Sequence, residues 1–118
     1  MKKARSNQIL KALKRCTEVS PELKQLTKKA RRAADFLKAL AHEKRLLILC
    51  ALAERERSVT ELEILLSLSQ STVSQHLARL RYDGLVDTRR KWRTVYYSLA
   101  DDTTLRFIDA IYGKFCRT

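Results

Sequence analysis

The apolar pattern of this chain changes period at Gly84, from helical before it to alternating after it, and no other feature constrains the fold so tightly. Just upstream, Ser67-Leu68-Ser69 reads as a tight break, and Ser69 suits the N-cap of a helix whose inward positions are Val73, Leu77 and Leu80. Gly84 then stands at the C-terminal position that favours glycine. Beyond it, Leu85-Val86-Asp87-Thr88 and Thr94-Val95-Tyr96-Tyr97-Ser98 alternate as two strands should. Between them, Arg89-Arg90-Lys91-Trp92-Arg93 reads as a basic hairpin tip. Upstream of the break, Thr60-Glu61-Leu62-Glu63 has the form of a capping box, with Thr60 at the cap, opening a brief helix through Leu66.

Two short helices joined by a tight turn and followed by a basic hairpin describe a winged helix-turn-helix. The flanking segments are helical too. Ser20-Pro21-Glu22 supplies a cap, a proline at the first helical position and an acid at the positive end, and Leu23, Leu26, Ala30, Ala33 and Leu37 follow at helical spacing. Glu43 to Arg55 reads as a buried apolar helix carrying Cys50. Asp101 to Cys116 reads as a last helix with a stripe of Leu105, Ile108, Tyr112 and Phe115. The expected fold is therefore mainly α with a small β-hairpin. Residues 1–19 form a basic N-terminal extension, with a short helical pattern at Ile9, Leu10 and Leu13, and residues 20–118 form the domain. A chain of 118 residues has room for one modest core.

Charge narrows the partners. Lys and Arg number 25 against 13 acids, a net charge of +12, which attracts polyanions: DNA, RNA or an anionic membrane. The first 32 residues carry +9 of this, either as a solvated tail or as a phosphate-binding arm. The longest apolar run, Leu46–Ala53, is too short to span a bilayer, and no apolar stretch follows the basic start as in a secretory signal. The expected location is cytoplasmic, at the nucleoid.

With Val73, Leu77 and Leu80 turned inward, a rotation of about 100° per residue turns Ser71, Ser74, Gln75, Arg79 and Tyr82 outward. Gln70, Ser71, Ser74 and Gln75 lie in the first turns, where a reading helix meets base edges. Gln can bond adenine through two atoms, and Ser can donate or accept. Arg79 and the hairpin cations Arg89, Arg90, Lys91 and Arg93 are suited to phosphates, which set position rather than sequence. His76 lies nearer the inward side, where packing or an internal hydrogen bond competes with base contact. Trp92 at the tip is either a probe of the minor-groove edge or an ordinary exposed aromatic.

At this point the chain resembles the ArsR/SmtB family of bacterial repressors, from about Ala34 to Cys116. The resemblance is carried by residues 36–49 (FLKALAHEKRLLIL), 68–77 (LSQSTVSQHL), Asp83-Gly84-Leu85-Val86 and Arg93-Thr94-Val95-Tyr96-Tyr97. It implies a homodimer with the first and last helices at the interface, and autoregulated binding to double-stranded operator DNA that an inducer relieves. Its base-contacting positions fall on Gln70, Ser71, Ser74 and Gln75.

The sensing chemistry separates branches of that family. Arsenic and cadmium sensors carry E-L-C-V-C-D-L in the third helix, but Glu61-Leu62-Glu63-Ile64-Leu65-Leu66 lacks both thiolates that a soft metal needs. Zinc sensors place Asp and His on the last helix, whereas here no His follows His76. No metal and no cofactor is expected. The cysteines, at 16, 50 and 116, contain no C-x-x-C. Taken alone, Cys50 reads as a small buried hydrophobe. Taken with Cys116, the segments Leu49-Cys50-Ala51-Leu52 and Ile111-Tyr112-Gly113-Lys114-Phe115-Cys116 resemble the family's dithiol branch. That resemblance implies operator binding when both thiols are reduced and release when persulfide-derived sulfur bridges Cys50 to Cys116. Cys16 has surroundings too variable to assign. The alternatives are a repressor of the same fold that senses a metal or general oxidants, and a non-specific DNA-coating protein. An enzyme is not expected: the sequence offers no paired nucleophile and base, no phosphate-binding glycine loop and no metal triad.

Overall fold

The computed structural model describes Gln8 and residues 20–115. The helical pattern at Ile9, Leu10 and Leu13, as well as Cys16 and Cys116, lies outside the described residues. The chain divides between Leu37 and Lys38 into two compact units. Helix α1, Pro21–Leu40, begins in the first. Ser20 caps it as the sequence predicts, its Oγ accepting from the Leu23 N–H at 3.1 Å. Leu23 and Leu26 are half-buried, and Leu37 is exposed.

The second unit holds α2 (Glu43–Glu54), β1 (Arg57–Ser58), α3 (Val59–Leu66), α4 (Gln70–Tyr82), β2 (Val86–Lys91), β3 (Thr94–Leu99) and α5 (Asp102–Phe115). The strands form an antiparallel sheet in the order β1-β3-β2. Helix α2 sits at the centre, against α3, α4, α5 and β3. Its Ile48 and Leu49 join Leu62, Val73, Leu77, Leu80, Val86 and Ile108 in a fully buried core. The mainly helical winged helix-turn-helix expected from the period change is the fold observed.

Local chemistry moved several boundaries. The capping box before α3 is set by Ser58 and Glu61, not by Thr60 and Glu63. Ser58 Oγ accepts from the Glu61 N–H and Glu61 Oε1 accepts from the Ser58 N–H, both at 3.2 Å. Ser58 pairs with Tyr96 in β1, which holds it in the extended conformation a cap needs. Strand β1 itself had no sequence signal at two residues. Gly84 ends α4 as expected: at φ +77° it lets its own N–H reach Arg81 O and lets the Leu85 N–H reach Leu80 O.

The hairpin is longer than its alternation suggests. Strand β2 runs through Arg89, Arg90 and Lys91, pairing Lys91 with Thr94, so the tip is only Trp92-Arg93. Trp92 takes φ +60°, a conformation more readily adopted by glycine or asparagine, because a two-residue hairpin loop requires it. On α5 the buried positions are Thr104 and Ile108. Leu105 is half-buried, and Tyr112 and Phe115, the other two members of the stripe, are exposed. Asp101 stays outside the helix as its cap, its Oδ1 accepting from the Thr104 N–H at 2.7 Å. That bond holds its carboxyl below the usual value.

Candidate nucleic-acid interface and thiol pocket

Helix α4 is built to present one polar face. Val73, Leu77 and Leu80 anchor it, and Gln70, Ser71, Ser74, Gln75, Arg79 and Tyr82 are all exposed, as the periodicity predicts. Ser69 Oγ accepts from the Thr72 N–H at 3.2 Å, donates to Thr72 Oγ1 at 2.9 Å and lies 3.3 Å from Ser71 Oγ. These bonds cap the first turn, and its N-terminal dipole favours an anion. At the far end Arg79 Nε donates to Asp83 Oδ2 at 3.2 Å while remaining exposed.

The hairpin cations divide into two kinds. Arg90, Lys91 and Arg93 are exposed around the tip, beside Trp92, which is 90% exposed. Arg89, also exposed, bonds both carboxylate oxygens of Glu56 and lies over the Tyr96 ring. The pairing lowers the Glu56 pKa and raises that of Arg89.

His76 lies beneath the exposed polar face of α4, between α4 and α2. Its Nδ1 accepts from Arg45 Nε at 3.3 Å, and its ring centroid lies 4.6 Å from that of His42. The internal hydrogen bond competing with base contact in the sequence reading is thus present. Burial lowers the His76 pKa below 6.5, and the nearby His42, Arg45 and Lys44 lower it further. The unfolded chain therefore binds the proton more readily than the folded one. The resulting stability is present above about pH 6.5 and is lost as pH falls through that value towards the folded pKa. The thermal midpoint should consequently fall more steeply between pH 7 and pH 5 in the wild type than in His76→Gln; parallel slopes would contradict this.

Sequence reasoning missed Arg57. It is buried, with Nε donating to Ala51 O at 2.9 Å and Nη2 to Glu54 Oε1 at 2.7 Å, so it closes the C-terminus of α2. A lone arginine between polar residues gives no periodic signal. Its role follows from its pairing with Tyr97 across the sheet.

Cys50 is half-buried on α2 and opens into a cavity of about 190 Å³ facing α5, lined by Ala53, Glu54, Ile108, Asp109 and Tyr112. The structure thus brings Cys50 to the last helix. Among the described residues no group of three or more His, Cys, Asp or Glu is gathered as a metal site, and no helix is long and apolar enough to cross a membrane.

A capped helix with an exposed polar face, flanked by a cationic wing, defines the class: a winged helix-turn-helix regulator of the DNA-binding kind. Residues 42–88 match the family profile described as "Bacterial regulatory protein, arsR family". The biofilm growth-associated repressor of Agrobacterium fabrum is 47% identical over 91 residues, covering 77% of this chain and 78% of the relative. The transcriptional activator HlyU of Vibrio cholerae is 45% identical over 95 residues, covering 80% and 88%. The structure of reduced HlyU from Vibrio cholerae aligns with a TM-score of 0.75 over 80% of this chain and all of that one. The chain belongs to the arsR family of bacterial regulatory proteins, and it is a transcriptional regulator rather than an enzyme.

Proposed function

We propose that the protein is a homodimeric transcriptional repressor that grips double-stranded operator DNA while its thiols are reduced, and releases it when persulfide-derived sulfur bridges Cys50 to Cys116. The observation that carries the DNA-binding part is the exposed Gln70, Ser71, Ser74 and Gln75 face on a helix anchored by three buried residues. These four side chains read base edges, and Arg79, Arg90, Lys91 and Arg93 hold phosphates. Exposed Phe107, Tyr112 and Phe115 on α5 supply apolar surface for a second copy. One relative is named a repressor and the other an activator. Operator occupancy serves both, by blocking polymerase or by excluding another DNA-binding protein.

The thiol part is supported by the cavity between Cys50 and α5, and Cys116 follows Tyr112 by four residues in the sequence. A thiolate takes the outer sulfur of a persulfide, RSSH, giving Cys-SSH and RSH. The second thiolate attacks the cysteine-bound sulfur and expels hydrosulfide, so two thiols and one RSSH give a disulfide, RSH and hydrogen sulfide. Each further inserted sulfur consumes one more RSSH and releases one more RSH. Inserted sulfur would span a gap beyond the ~7 Å between Cα atoms that a disulfide tolerates, favouring persulfide over peroxide as the inducer.

The DNA-binding reading is tested by competing a duplex selected from a random pool against unrelated duplex at one fixed salt. A preference of about a thousandfold or more is expected. A ratio near one with a full salt slope would instead mark a non-specific coating protein.

A further inference from the structure

Arg89 stands apart from the other wing cations. Its Nε donates to Glu56 Oε2 at 2.7 Å and its Nη2 donates to Glu56 Oε1. Its guanidinium carbon lies 5.1 Å from the centroid of Tyr96, which is also its Cα partner across the β2–β3 ladder. Glu56 stands between α2 and β1, and β3 is the central strand. One side chain thus crosses the middle of the sheet and ties β2 to the chain leaving α2. The anchor is itself held, because the adjacent Arg57 is buried and bonded to Ala51 O and Glu54 of α2.

We propose that Arg89 is a positioning residue rather than a phosphate ligand: with Glu56 and Tyr96 it fixes the angle of the wing against α2, so that Arg90, Lys91 and Arg93 meet the DNA backbone in one place. This rests on the DNA-binding reading above. A two-stranded ribbon is marginal by itself and twists easily. A bidentate guanidinium–carboxylate pair has defined geometry, unlike a single contact between two flexible side chains. Arg89 commits Nε and Nη2 to the two oxygens of one carboxylate and lies over an aromatic face, so its orientation is set by Glu56 and Tyr96.

The two roles predict opposite signs for Glu56→Gln. If Arg89 were a phosphate ligand restrained by Glu56, removing the acid would free a cation and remove a negative charge, and DNA affinity would rise. If Glu56 positions the wing, affinity falls despite the more favourable charge. We expect Glu56→Gln and Arg89→Gln each to weaken binding to a selected duplex about threefold, the scale of an exposed pair with good geometry. The double variant should be no weaker than Arg89→Gln alone. The slope of log K against log salt should stay unchanged in Arg89→Gln, whereas Arg90→Gln should reduce it by about 0.9, one phosphate contact. In the free protein, Glu56→Gln should speed amide hydrogen exchange in β2 and β3 without changing that of α4. Tighter binding by Glu56→Gln, or a slope reduced in Arg89→Gln as in Arg90→Gln, would overturn the proposal. So would unchanged exchange in β2 and β3. If the wild type showed no sequence preference, the DNA-reading proposal would fall and the exchange result alone would decide the role of Arg89.

Discussion

Cys50→Ala protein is expected to bind operator DNA as tightly as reduced wild type and to keep that affinity after persulfide treatment that weakens the wild type about 100-fold. Cys50 is half-buried at the wall of a cavity and contributes no atom to the α4 face, so its removal leaves the reading surface intact. What it removes is one end of the proposed bridge between Cys50 and Cys116. Helix α2 packs against α4, which carries the proposed DNA-reading face, and against α5, whose exposed aromatics form the proposed dimer surface. A covalent bridge from α2 to the end of the chain acts on both contacts at once. A hundredfold change needs a differential of about 2.7 kcal/mol between the two states, within the usual range of coupling between sites. The measurement is a binding isotherm for each protein, with and without persulfide, at one salt concentration. A Cys50→Ala protein that still releases DNA on treatment would remove Cys50 from the mechanism.

Leu77→Ala should cost about 3 kcal/mol of stability. Leu77 is fully buried, at 0% exposure, and sits on α4 between the reading face and the core around Ile48 and Leu49. Truncating a buried leucine loses its transfer free energy and leaves a cavity, together about 2–5 kcal/mol. In a domain of this size each kcal/mol moves the melting midpoint by about 4–8 °C, so a fall of at least ~12 °C is expected in thermal denaturation followed by circular dichroism. Ser74→Ala, one turn away on the exposed face, should change stability by no more than about 0.5 kcal/mol while weakening DNA binding. The two substitutions therefore separate packing from reading on one helix. An equal midpoint for Leu77→Ala and wild type would mean that α4 is not anchored as described.

The reading helix was legible in the sequence because its signals are local and redundant. A serine cap, a buried face at 73, 77 and 80 and a glycine at the exit all specify the same thirteen residues. The hairpin was legible in kind but not in extent. Arg89, Arg90 and Lys91 resemble loop composition, and only pairing with Tyr96, Val95 and Thr94 makes them a strand. The capping box before α3 was misplaced by two residues because Ser58-Val59-Thr60-Glu61 and Thr60-Glu61-Leu62-Glu63 both fit the pattern. The choice between them was made by strand pairing at Ser58, a contact some forty residues distant in sequence. Arg57 and the Glu56–Arg89 pair were illegible for the same reason, since each joins segments that no periodicity connects. Tyr112 and Phe115 satisfy the helical stripe but are exposed, because apolar spacing is the same for a face that packs on the core and for one left open, as the proposed dimer surface would be. His76 fell between the two faces of α4, and its partner Arg45 lies on a different helix.

The most direct test is made on one preparation of the wild-type protein, divided in two. One half is kept reduced and the other is treated with persulfide until intact-mass measurement shows bridging and peptide mapping places the bridge between Cys50 and Cys116. Both are then titrated against the same selected duplex at the same salt. The account predicts tight binding by the reduced half and about 100-fold weaker binding by the bridged half. Equal affinity in the two halves would contradict it.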